Sequence, residues 1–128
     1  MYDTVAALET ARKLAGADAR AADDHELLAA AVDLEGLVSL ALAAQGQVLA
    51  ELHTRGTTDT DFGLHTSTWV AAKTHIPRAV ASEHLKVGDK LRRLLPVVAQ
   101  ALADERIGWW HAKALADAAN PRVADALA

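Results

Sequence analysis

Five polar residues recur along one side of the segment 77–95: Arg78, Ser82, Lys86, Lys90 and Arg93. At about 100° per residue they share one half of a helix, with Glu83 and Asp89 among them. Val80, Ala81, His84, Leu85, Val87, Gly88, Leu91, Leu94 and Leu95 fill the other half. Four cations along ~22 Å of helix could meet successive phosphates of a nucleic acid, and the Ser82 hydroxyl could address a base edge. Four phosphate contacts would give log affinity against log salt a slope of about −3.6. The plainer alternative is an ordinary solvated face, diluted by its two acids.

Other chemistry is excluded more firmly than it is offered. The six histidines stand at 25, 53, 65, 75, 84 and 111, and no pair has the three-to-five spacing of a helical metal site. Neither a metal nor a cofactor is expected, and His84 falls on the apolar side of its helix as a core histidine would. There is no Cys, so disulfides, thiolate zinc sites and cysteine nucleophiles are ruled out. Trp109-Trp110-His111 could stack on bases. Adjacent helical tryptophans point about 100° apart, however, so the pair reads equally as one buried and one exposed ring. No nucleophile elbow, phosphate-cradling glycine loop or paired-carboxylate site is present. No catalytic residue is therefore expected in these 128 residues.

The elements that must carry these residues are helical. Apolar residues make up 52% of the chain, mostly Ala, Leu and Val, and only five residues are aromatic. The net charge of −4 divides unevenly. Residues 1–64 hold four Lys/Arg against eleven acids, and residues 65–128 hold nine against six. An acidic half for scaffold or assembly and a basic half for a polyanion is one reading; solvation of both outer faces is the other. The N-terminus lacks the charged-then-apolar order of a signal peptide. Asp33, Glu35, Gln45 and Gln47 interrupt the longest apolar stretch, so no membrane span is expected and the location is read as cytoplasmic.

Start and stop signals predict an N-terminal helix and linker over 1–22, with the helix at Thr4–Ala15 stopped by Gly16. A helical domain follows over 23–128. Its long helix, 23–55, is capped by Asp23 and Asp24 and ends at Gly56. The seam Leu27, Ala31, Leu34, Val38, Ala41, Gln45, Val48, Leu52 alternates steps of four and three. It suits either bundle packing or a homodimer through helix 24–55, with Gln45 as a polar register-setter. Residues 56–65 read as the one clear loop. A bundle of short helices fills 66–128: one capped by Thr66 or Ser67, one opened by Pro77, one by Pro96, one after Gly108, and a stub beyond Asn120-Pro121. The chain stops inside that stub, as a domain cut from a longer protein would. Ala71, His75, Ile76 and Ala81 have helix-turn-helix spacing: a small residue for close approach, a turn, a corner plug and a small residue packing back. The turn position usually holds Gly; His75 must tolerate a left-handed backbone or avoid it.

The order of features resembles the actinobacterial domain-of-unknown-function family 222, the 13E12 repeat family. Thr66-Ser67-Thr68-Trp69-Val70-Ala71, Ile76-Pro77-Arg78, Ala81, Val87, Leu91, Leu95-Pro96, Ala101-Leu102, Ile107-Gly108, His111-Ala112 and Leu115 carry the resemblance, with Leu52–Gly56 and Gly63 upstream. It covers roughly residues 24–128. Members typically continue into an HNH nuclease domain, so the resemblance implies the N-terminal helical part of an HNH-endonuclease-like protein, without catalytic residues of its own. Leu95-Pro96 and Trp110-His111-Ala112-Lys113 are also similar in layout to the helix-turn-helix region of ParB-type partition proteins. Departures lie at Ala79, Val80, Ser82, Glu83 and His84, where members often carry Arg, and at His75, Pro77 and Gly108.

The expectation is an all-α domain, a long helix followed by a bundle of short helices with a helix-turn-helix-like unit. It would bind or position double-stranded DNA through Arg78, Ser82, Lys86, Lys90 and Arg93. The alternative is a helical dimerisation or assembly module that does not touch DNA.

Overall fold

The structure, a computed structural model, describes residues 2–119. Among them are seven α-helices and no strand: α1 (Thr4–Ala15), α2 (Asp24–Arg55), α3 (Thr57–Phe62), α4 (Thr66–Lys73), α5 (Arg78–Arg93), α6 (Pro96–Ala103) and α7 (Trp109–Ala118). A 3-10 turn, Ala19–Ala21, lies between α1 and α2. The all-α expectation holds, with long α2 followed by shorter helices. The stub expected beyond Asn120-Pro121 lies outside the described residues. The chain divides into two compact units, Met1–Leu34 and Glu35–Ala128.

Local signals set the ends of the first two helices. The Asp3 carboxylate accepts from the Ala6 N–H at 3.4 Å, and α1 stops at Gly16. The Asp23 carboxylate accepts from the Glu26 N–H at 2.8 Å, satisfying a first-turn donor of α2. Gly56 ends α2 in the left-handed region at φ 64°, where a Cβ would be strained.

Two expectations for residues 56–66 need correction. The predicted loop 56–65 contains α3, whose Thr and Asp residues are weak helix formers. Tertiary contacts hold it instead. Buried Thr58 shares a hydrogen bond with buried Thr66 (3.2 Å between hydroxyls), and the Phe62 ring stacks on Trp69 with centroids 5.7 Å apart. For the same reason Thr66 does not cap α4. It is the first helical residue, its hydroxyl engaged by Thr58, and His65 holds the cap position with no side-chain bond.

In the first unit no described residue is buried. The second unit has two cores. In one, Val87, Leu91, Leu95, Val98, Leu102, Trp109, Ala112 and Ala116 join α5, α6 and α7. In the other, Leu49, Val70 and Ala81 join α2, α4 and α5, ringed by Trp69, Ile76 and Leu85.

The face of α2 used here is not the predicted seam. Its buried residues are Ser39, Gly46, Leu49 and Ala50, roughly a third of a turn round the helix. Leu27, Ala31, Leu34, Val38 and Ala41 of the seam are exposed, and Gln45, Val48 and Leu52 are half-buried. Gly46 explains the choice. It meets Gly88 of α5 backbone to backbone: a Cβ on Gly46 would lie 3.1 Å from the Gly88 Cα, and one on Gly88 would collide with the Gly46 carbonyl. Gln45 is not free to set a dimer register either, because its amide oxygen lies 3.0 Å from His84 Nδ1.

By length and composition alone α2 could cross a membrane: one 18-residue window reaches a mean hydropathy of 1.9. The polar residues read as interruptions do not prevent that. Only 6% of the window is buried.

Candidate polyanion-binding groove

Helices α4 and α5 meet across the four residues 74–77. The Thr74 hydroxyl donates to the Val70 carbonyl at 2.7 Å and closes α4, and the Pro77 carbonyl accepts from the N–H groups of Val80 and Ala81 at the start of α5. Ile76 is half-buried against the Leu49, Val70 and Ala81 cluster, and Ala81 is fully buried. His75 avoids the left-handed region: among the described residues other than Gly, only Glu105 has a positive φ.

The structure separates the five predicted contact residues. Arg78 and Lys86 are exposed, and neither has a salt-bridge partner among the described residues. Arg93 is exposed but tied to Asp89 one turn back, with Nη2 to Oδ2 at 2.8 Å, which raises its pKa further above the usual arginine value. Lys90 is half-buried, and its ammonium donates to the Ala116 carbonyl at 3.1 Å, satisfying one of the last carbonyls of α7. Ser82 is half-buried. Glu83 pairs with Lys113 of α7 at 2.8 Å, and Lys113 also binds Asp117 at 2.6 Å. These bonds, first to Asp117 and then to Glu83, hold the Lys113 pKa up at about 12.

Ser82, Lys86, Lys90 and Arg93 do share one place. With His53 at the end of α2 and His65, Thr66 and Ser67 at the start of α4, they line an open groove of about 550 Å³. Asp89 is its one acid. The first N–H groups of α4, which like those of any helix have no intrahelical acceptor and carry the positive end of the dipole, have no side-chain cap either. Arg78 does not line the groove.

His53, His65 and Ser67 were not singled out from sequence as contacts. The placing of His65 and Ser67 rests on Thr58 of α3 meeting Thr66, a contact no local pattern announces. His65 itself pairs with Asp59 at 2.9 Å. Arg92, also absent from the prediction, lies elsewhere on α5. Its guanidinium bonds Glu51 at 2.7 Å and Thr54 at 3.1 Å, joining α5 to the last turns of α2. Bonds from Arg55 and then Arg92 hold the Glu51 carboxyl below the usual range.

His84 takes the core role expected of it. It is half-buried, bonded to Gln45 and edge-on to the Trp109 ring at 5.5 Å, and burial lowers its pKa. Trp109 is buried and Trp110 exposed, the arrangement expected of adjacent helical positions. Among the described residues no three His, Asp or Glu converge as metal ligands do. No family model matches the chain, and comparison with curated proteins and with solved structures gives no match.

Proposed function

We propose that this helical domain binds the sugar-phosphate backbone of double-stranded DNA through the groove between the start of α4 and α5. The observation that carries the reading is the convergence there of Lys86, Lys90, Arg93 and two histidines, from three helices, on an uncapped helix start with the hydroxyls of Ser67 and Ser82. Phosphate oxygens suit such a surface, because cations and N–H groups can both meet them. The resemblance to the 13E12 repeat family supports the same reading. In a protein of that kind the domain would hold DNA for an HNH nuclease domain, with no catalytic group of its own.

The engaged cations set the strength. Lys86 in the groove, and Arg78 two turns before it on the same side of α5 but outside the groove, are free to displace counterions, while Lys90 and Arg93 already have partners. The salt slope should therefore be nearer about −2 than the −3.6 of four free contacts. Fluorescence anisotropy with a labelled duplex at low and moderate salt tests this. Lys86→Ala and Arg78→Ala should each flatten the slope by about one unit. Asp89→Asn should tighten binding, since it removes the groove's acid and releases Arg93. Absence of binding at low salt, or indifference to both Lys86 and Arg78, would overturn the reading.

A further inference from the structure

We infer that protons control the groove: His53 and His65 contact phosphates in their charged form, so affinity for DNA rises as the pH falls from 8 to 6. This rests on the groove being a phosphate site and adds to it two binding residues and a regulator.

The lining itself points there. Of the ten residues around the groove, three are Lys or Arg, one is an acid and two are histidines. Lys90 is engaged by the Ala116 carbonyl and Arg93 by Asp89. Among the described residues only Lys86, of those three cations, has no such partner. Protonated histidines would therefore supply two of the three charges that the groove can still offer. Both are exposed, so a phosphate can reach them without disturbing either core. They come from different helices, His53 from the last turn of α2 and His65 from the cap of α4. The other four histidines, at 25, 75, 84 and 111, do not line the groove.

The surrounding charges fix what a proton changes. From α3, the Asp59 carboxylate lies 2.9 Å from His65 Nδ1, and Asp61 has no ion-pair partner among the described residues. From α5 come Lys86, Lys90 and the Asp89–Arg93 pair. On α2, Glu51 is taken by Arg55 and Arg92. While His65 is neutral, the negative charge of Asp59 stands uncompensated at the edge of the groove; protonation cancels it. His53 has no salt-bridge partner among the described residues, so its proton adds a full positive charge. In both places one proton makes the groove one unit more positive. A phosphate alongside favours the protonated imidazole, and by linkage the protonated imidazole favours the phosphate equally. Imidazole is the side chain that ordinarily changes charge between pH 5 and 8.

Fluorescence anisotropy of the full 128-residue chain with a labelled duplex, at pH 8.0 and 6.0 and constant ionic strength, tests the proposal. Binding should be about tenfold tighter at pH 6.0, with each histidine contributing about threefold. The salt slope should steepen from about −2 toward about −3.6, since two more counterions are displaced. His53→Gln and His65→Gln keep a polar side chain without the charge. Each should remove its own share of the gain, and the double variant should remove all of it. His111→Gln, exposed but outside the groove, should leave the gain intact. Circular dichroism at both pH values checks that each variant remains folded. Binding at pH 8.0 that is no tighter at pH 6.0, or a gain undiminished in the double variant, would overturn the inference and leave the groove as a phosphate site. No binding at either pH would overturn both.

Discussion

Residues 2–34 and residues 35–119 are built from the same materials with opposite results. Both stretches are rich in Ala, Leu and Val, and both fold into helices with clear ends. In the second, Leu95, Leu102, Trp109 and Ala112 are buried and polar groups find distant partners. In the first, nothing is buried. Helix-forming composition decides that a segment is helical; it does not decide that the helix has something to pack on. What separates the two stretches is small residues at a crossing, such as Gly46 against Gly88, and side chains that reach across sequence, such as Ser39 to Trp109.

The largest expected effect sets a buried leucine against an exposed one. Leu102→Ala removes a side chain that is 2% exposed and should cost about 3 kcal/mol, because the cavity cannot close. Leu34→Ala should change monomer stability by less than about 0.5 kcal/mol. Urea melts at a concentration too low for self-association compare them. Equal costs would mean that Leu34 is already covered within one chain.

A glycine pair sharpens the comparison next. Gly88→Ala places a methyl against the Gly46 backbone, which cannot yield without separating α2 from α5, and should cost about 2–3 kcal/mol. Gly36→Ala, within α2, meets only the flexible end of Glu105 at 3.2 Å. It should gain about 0.5–1 kcal/mol from helix propensity. Thermal melts of the two variants should therefore move in opposite directions.

The start of α7 shows how the second unit completes a helix end from far away. Gly108 supplies no side-chain cap, and buried Ser39 accepts from the Trp109 N–H at 3.1 Å instead. Ser39→Ala leaves that N–H unsatisfied and should cost about 1–2 kcal/mol. Hydrogen exchange at Trp109 should accelerate in the variant, while amides of α1 keep their wild-type rates.

What could be read from sequence follows the same division. The ends of α1 and α2 were legible because Asp3, Gly16, Asp23 and Gly56 act on their own neighbours. Helix α3 was not, since Thr58–Thr66 and Phe62–Trp69 hold a segment whose own propensity is poor. The bundle face of α2 was hidden because the helix is apolar nearly all round. Gly46 and Gly88, two glycines inside helices, were the overlooked signal of a close crossing. In the candidate site, the polar side of α5 was legible from periodicity. The capture of Lys90 by the Ala116 carbonyl and of Glu83 by Lys113 was not, because both depend on where α7 packs. Asp89 and Arg93 stand at helical i, i+4 spacing, so that pair could have been found in the sequence.

The smallest expected effect is a pH dependence confined to the second unit. Burial lowers the His84 pKa from 6.5, and its Nδ1–H donates to the Gln45 amide oxygen in the neutral form. The unfolded chain therefore takes up this proton before the folded one does. The contribution to stability is complete above about pH 6.5 and falls as the pH drops below it, until the folded state also protonates. His25, exposed in the first turn of α2, has no such packing. Urea midpoints at pH 7.5 and 5.5 should show wild type losing more stability on acidification than His84→Gln, which retains an amide able to face Gln45. An acid loss the same in His84→Gln as in wild type would place the titrating group elsewhere and remove His84 from the account of how α2 and α5 are held.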